Sequence, residues 1–181
     1  EAEVEHTLTH TANSAIRNFP VPVIARINGY CLGFGMELAA ACDLRVGVDS
    51  AKFGMPEVRV GIPSGMEAVL LPKLIGWGKA AELVYTGDII DAQEAYRIGF
   101  LQRLVPASQL DGAVESWISS LLAGGKRVMR LQKALLRDWE RMPETDGIWA
   151  GIRACVEARR TDEPRRMMEA FINRKSPKQG H

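Results

Sequence analysis

The sequence predicts an α/β protein, with a front portion in which short strands alternate with helices and a back portion built from helices alone. Three observations carry this. Short runs rich in β-branched residues, closed by turn residues, recur between residues 21 and 54. Apolar residues at helical spacing form four successive stripes after residue 110. Gly124-Gly125 separates the two patterns and divides the chain into 1–123 and 124–181.

Taken in order, residues 2–18 have helical spacing (Val4, Leu8, Ala12, Ala15, Ile16), and Pro20 ends the run. Val21–Ile27 reads as a strand closed by Asn28-Gly29. Met36–Cys42, rich in alanine, reads as a helix, and Leu44–Val48 as a second strand. Ala51–Gly54 is a third strand, which Pro56 prevents from continuing. Helices are expected over Ile62–Ile75, with Pro72 as a kink or end, and over Gly78–Tyr85. Another is expected over Asp91–Ile98, where Asp91 and Glu94 have the form of a capping box. The back stripes centre on Leu110–Leu122, Val128–Met142, Ile148–Val156 and Met167–Ile172.

Composition narrows the class. With 181 residues the chain can bury about 70% of its unfolded surface, enough for one sizeable core. Its 46% apolar and 25% charged residues exclude bulk disorder and collagen-like repeats. A net charge of +1 argues against a protein made chiefly to hold nucleic acid. No apolar run approaches the roughly 20 residues of a membrane helix. Cys31, Cys42 and Cys155 are odd in number and widely spaced. They read as small buried hydrophobes in a reducing, cytoplasmic setting. His6, His10 and His181 lack ligand spacing, so no metal is expected, and mid-strand Arg26 is expected to pair with an acid.

The chemistry-bearing segment is 28–65. Gly33-Phe34-Gly35 leads from a strand into a helix with Glu37 in its first turn, where backbone N–H groups lack internal acceptors. These glycines fit two uses, close strand–helix packing or close approach of a ligand oxygen to the backbone. Glu57 stands between apolar neighbours just after Pro56, an awkward place for a charge unless it is used. If the chain returns beside the first strand, Glu37 and Glu57 meet. Like charges at one site then push one carboxyl toward its protonated form, and the pair can act as acid and base.

Pro22 to Ala39, Cys42-Asp43-Leu44-Arg45, Ala51 to Glu57 and Gly61-Ile62-Pro63 resemble the signature of the crotonase (enoyl-CoA hydratase/isomerase) superfamily. Thr86-Gly87-Asp88, Asp91 to Ala95, Gly99-Phe100 and Leu104-Val105 continue the match over almost the whole chain. The resemblance implies a crotonase-like ββα spiral core, N-terminally incomplete, followed by a C-terminal helical trimerisation region. It also implies an acyl-CoA thioester as substrate, with no separate cofactor. The thioester oxygen would accept from the Phe34 backbone N–H. Glu37 and Glu57 would together activate water for attack at C3 of a trans-2-enoyl-CoA, with Glu57 delivering the proton to C2. Other reactions of the family, double-bond isomerisation or hydrolysis, stay open, as does a non-catalytic acyl-CoA- or RNA-binding scaffold.

The sequence departs from the family pattern in three places. Phe34 stands where the family usually has Gly, and a positive φ there would cost about 1–3 kcal/mol. Gly65-Met66-Glu67-Ala68 replaces a Gly-Gly-Thr stretch, which brings in a further carboxylate at Glu67. The family's N-terminal strands and helices, with a second oxyanion donor and most of the adenine loop, are expected to be missing. The back helices resemble the region that builds trimers or dimers of trimers, whose last helix lends an aromatic and a basic residue to a neighbour's CoA. Phe171 and Arg174 match those positions. From 159 to 181, seven basic residues against three acidic ones give +4, suited either to CoA phosphates or to a solvated helix face.

Overall fold

The computed structural model describes residues 2–173, arranged as two compact units, Glu1–Ile118 and Ser119–His181. The first unit opens with α1 (Ala2–Arg17), then β1 (Ile24–Ile27), β2 (Tyr30–Leu32), α2 (Phe34–Ala41), β3 (Leu44–Val48) and β4 (Lys52–Gly54). Two 3-10 turns, Pro56–Val60 and Met66–Leu70, precede α3 (Leu71–Ile75) and α4 (Trp77–Thr86). β5 (Ile89–Asp91), α5 (Ala92–Arg97), β6 (Arg103–Val105) and most of α6 (Leu110–Leu122) complete it.

The strands divide between two three-stranded sheets. β1, β3 and β6 are parallel in that spatial order; in the other sheet β2 pairs parallel with β4, and β4 antiparallel with β5. β1 to β4 thus step from one sheet to the other in turn, with α2 crossing back after β2, while β5 stays beside β4 and β6 returns to the first sheet. This is the ββα repeat the sequence resemblance implies. The core between these layers holds Met36, Val46, Val48, Phe53, Met55 and Phe100, all at or near zero exposure. Phe53 and Phe100 meet edge to face, with centroids 5.7 Å apart.

Small residues let α2 lie close on this core. Ala39, Ala40 and Ala41 are buried, and Met36 fills the space beside them. The C-terminal end of the helix is fixed by a buried charge. Arg45 on β3 is 3% exposed and donates through Nη1 to the carbonyls of Cys42 (2.8 Å) and Ala39 (3.3 Å). Its Nε donates to the Phe100 carbonyl at 2.6 Å. A cation on the last carbonyls of a helix satisfies groups that have no internal donor and opposes the negative end of the dipole. That anchor holds the far end of the helix whose first turn carries Phe34 and Glu37.

Several local expectations change. The strand predicted over Val21–Ile27 begins only at Ile24, because Pro22 removes a donor before it. Asn28-Gly29 closes β1, yet β2 starts at the next residue. The helix predicted over Ile62–Ile75 begins at Met66, and Pro72 occupies the first turn of α3, where a missing N–H costs little. Asp91 caps α5 by accepting from the Glu94 N–H at 2.8 Å, but the Glu94 carboxylate turns to Arg97 and Lys79 instead of closing a capping box. Arg26 pairs with Asp111 at 2.7 Å, as expected of a mid-strand cation. Cys31 and Cys42 are buried, whereas Cys155 is exposed, so the reading of all three as buried fails there.

In the second unit α7 (Lys126–Trp139) packs on α8 (Glu144–Ala158), and α9 (Glu163–Ile172) follows. Trp139 donates from Nε1 to the Gly147 carbonyl at 2.9 Å. The Glu163 carboxylate accepts from the Arg127 and Val128 N–H groups at the start of α7, capping that helix from α9. These helices leave large apolar side chains exposed, among them Trp149, Val156, Met168, Phe171 and Ile172. Among the described residues no helix is long and apolar enough to cross a membrane.

Candidate functional site

The site forms where β2 and β4 run side by side and both chains leave the sheet. Gly33 ends β2, donates its N–H to the Gly54 carbonyl at 2.9 Å, and turns the chain into α2 with φ 54°, ψ −123°. Only glycine adopts that conformation without strain. The positive φ therefore falls on Gly33, and Phe34 is already the first helical residue. The strain anticipated for Phe34 is absent, and the positive-φ non-glycine among the described residues is Met66, at 45°. The Phe34 N–H belongs to the first-turn donors that have no intrahelical acceptor, while the side chain is 41% exposed.

Glu57 comes from the other chain segment. Pro56 stops β4 and opens a 3-10 turn that Gly61, at φ 79°, closes. The turn brings the Glu57 carboxyl group over Gly33. A Cβ built on Gly33 would lie 3.3 Å from Glu57 Cδ and closer still to Oε1, so a bare glycine is what leaves room for the carboxylate. Ser64 Oγ donates to Glu57 Oε2 at 3.0 Å and fixes its orientation. Arg59 on the same turn pairs with Asp88 and donates to the Thr86 carbonyl at 3.1 Å, tying the turn to the end of α4.

Glu37 sits one turn into α2 and is 1% exposed. Its Oε2 has no hydrogen-bond partner among the described residues. Burial pushes its carboxyl from 4.5 up to about 7, and the charges of Glu57 and Glu67 push in the same direction. The backbone N–H groups of Glu67 and Ala68 oppose this by favouring the ionised form. The structure thus brings together the two carboxyl groups predicted from sequence, at the start of a helix. Such an arrangement can hold a water, take a proton from it, deliver another, and place N–H donors beside an oxygen that gains negative charge.

Sequence reasoning did not find Gly33 as the positive-φ residue, Ser64 as the partner of Glu57, or the partners of Glu67. The GxG spacing carried a signal for the first. The other two are side-chain contacts with no local pattern. Cys31 is buried behind the site, with its thiol donating to the Gly35 carbonyl at 3.3 Å. Burial, with Cys42 adding to it, pushes that thiol up to about 12 and keeps it un-ionised. Phe171 is 68% exposed on α9, and Arg174 lies outside the described residues.

Comparisons with known proteins point to one family. A crotonyl-CoA hydratase of Syntrophomonas wolfei is 45% identical over 114 residues, covering 62% of this chain and 44% of its own length. A probable enoyl-CoA hydratase of Mycobacterium bovis is 37% identical over 164 residues, 88% of this chain and 63% of its own. The chain thus spans less than two thirds of the length of these relatives. The crystal structure of an enoyl-CoA hydratase from Bacillus anthracis superposes with a TM-score of 0.92 at 32% identity, over 98% of this chain and 70% of that one, which establishes the crotonase fold. The model of the enoyl-CoA hydratase/isomerase family matches residues 2–180. On that match and these likenesses, the chain belongs to the enoyl-CoA hydratase/isomerase family.

Proposed function

We propose that this chain carries the hydration centre of an enzyme that adds water to a trans-2-enoyl-CoA. The observation that supports this most is the pair Glu37 and Glu57, two carboxyl groups acting on one another beside the first N–H groups of α2. The relatives named as crotonyl-CoA and enoyl-CoA hydratases point to the same substrate class.

In the proposed step the thioester oxygen accepts from the Phe34 N–H, and the charge it gains on attack at C3 is stabilised there. One such donor is typically worth about 3–4 kcal/mol of barrier. The two carboxyl groups together hold one proton, since like charges at one site resist double ionisation. A water between them bonds through its oxygen to C3 and gives a proton to Glu37, whose affinity near neutral pH suits a general base. The proton that the pair shares passes to C2 through Glu57. The product is a 3-hydroxyacyl thioester, and the pair again holds one proton. No cofactor takes part; CoA enters as part of the substrate.

Around this centre, Phe171 and Arg174 are proposed to meet the CoA of a neighbouring copy. The exposed apolar side chains of α7 to α9 favour assembly as a homotrimer or a dimer of trimers. A cytoplasmic protein without nucleic-acid partners completes the proposal. The test is product analysis after incubating the chain with crotonyl-CoA in water enriched in oxygen-18. Label at C3 of a hydroxyacyl-CoA is expected; an isomerised or hydrolysed thioester as sole product overturns the assignment.

A further inference from the structure

The turn Met66–Leu70 carries a carboxylate that the hydration scheme does not use. Glu67 is 4% exposed, and both its oxygens are engaged by α1. His10 Nδ1 lies 2.7 Å from Oε1, and Asn13 Nδ2 donates to Oε2 at 2.7 Å. His10 and Asn13 are three residues apart on α1, so their side chains leave one face and reach the same carboxyl group. Asn13 is itself fully buried, which commits its amide to this contact. A buried carboxylate without partners would be costly, and two donors on one helix fix where it sits. The backbone of the same residue does something else. The Glu67 N–H acts on the Glu37 carboxyl group and favours its ionised form, as does the Ala68 N–H, which also donates to the Gly65 carbonyl at 3.0 Å. Met66, in a conformation that non-glycine residues rarely adopt, turns the chain immediately before them.

We infer that Glu67, tethered by His10 and Asn13, is a positioning residue for Glu37: its side chain fixes the 66–70 turn so that the two amides grip the Glu37 carboxyl group and aim it into the site. Its own charge acts in the opposite sense to the amides. Among the described residues, the charges acting on Glu37 are Glu57 from the 56–60 turn and Glu67 itself. The other elements against α2 bring His10 on α1, which ends at Glu67, Cys31 on β2, whose thiol is turned to Gly35, and Lys73 on α3. The role in catalysis rests on the proposed hydration, but the positioning itself does not.

The test therefore reads the chain without substrate. Carbon-13 NMR of the side-chain carboxyls follows Glu37 through its titration, and the amide resonances of Glu67 and Ala68 are followed over the same pH range. In the native chain both amides are expected to move with the midpoint of Glu37. Glu67→Gln keeps an acceptor for Asn13 and a donor for His10 while removing the charge. It should lower the Glu37 midpoint by roughly half to one pH unit, with the amide response intact. In the double variant His10→Ala, Asn13→Ala, the pH-dependent movement of those amides should fall to half or less. A Glu37 midpoint unmoved in Glu67→Gln, or an undiminished amide response in the double variant, overturns the inference. If the double variant does not fold, the single variants His10→Ala and Asn13→Ala are read for the same amide response, and an undiminished response in both overturns the inference. Absence of hydration by a chain that gives these NMR results would refute the proposed function and leave the positioning role standing.

Discussion

Replacing Glu37 by glutamine should stabilise the fold, and only on one side of neutrality. Glu37 is buried, and its carboxyl is raised from 4.5 to about 7, by burial first and then by Glu57 and Glu67. A carboxyl whose folded pKa lies above its unfolded one favours the fold while protonated. That contribution is complete below about 4.5 and is lost as pH rises through about 7. The rise corresponds to about 3 kcal/mol, and about 2 once the surroundings relax around the buried charge. The glutamine side chain is nearly isosteric with glutamate, still accepts from the Glu67 and Ala68 amides, and never ionises. The variant should match the native chain within about 0.5 kcal/mol at pH 4.5 and exceed it by about 2 kcal/mol at pH 8.5. Other titrating groups cancel in the difference. Urea unfolding at a series of pH values measures it, read by fluorescence of Trp77 and Trp117 with Trp139 and Trp149 replaced by Phe, so that the signal reports the first unit. A pH-independent difference, or a variant weaker than the native chain at pH 8.5, would refute the reasoning.

Three further substitutions probe the rest of the site. Gly33→Ala imposes a side chain at φ 54° and drives it into Glu57, so it should cost about 1–3 kcal/mol and reduce hydration at least tenfold; a native rate with native stability contradicts the geometry. Phe34→Pro removes one N–H at a helical position that tolerates proline. Hydration should drop by about 10²–10³ with an unchanged circular dichroism spectrum, and a drop below tenfold removes Phe34 from the oxyanion role. Ser64→Ala frees Glu57 Oε2 and should lower kcat about tenfold while KM stays put; a change confined to KM would place Ser64 in substrate binding.

The alternation of strand and helix, and the helical back, were legible because α1, α2, β3, β4 and α4 to α9 each carry their own periodicity or punctuation. β2, β5 and β6 were not. Each has three residues, too few for an alternating pattern to register, and pairing across the sheet defines them; β4 is as short but stood out between the Asp49-Ser50 turn and Pro56. The same limit applies in the site. Glu57 stood out as a charge among apolar neighbours, and Glu37 as an acid in the first turn after GxG, both local signals. Glu67 lies 57 positions from His10 and 54 from Asn13, and no pattern in the chain announces a contact over that span. The shift of the positive φ from Phe34 to Gly33 is a one-residue matter of where the helix starts, which propensity alone does not resolve.

The central claim is that Glu37 and Glu57 add water together beside the Phe34 N–H. It is tested most directly by the rate at which crotonyl-CoA loses its enoyl absorbance with the native chain and with Glu57→Gln at pH 7. The account predicts a measurable native rate and a fall of about 10²–10⁴ in the variant, with its fold intact. Hydration by Glu57→Gln at the native rate would contradict it.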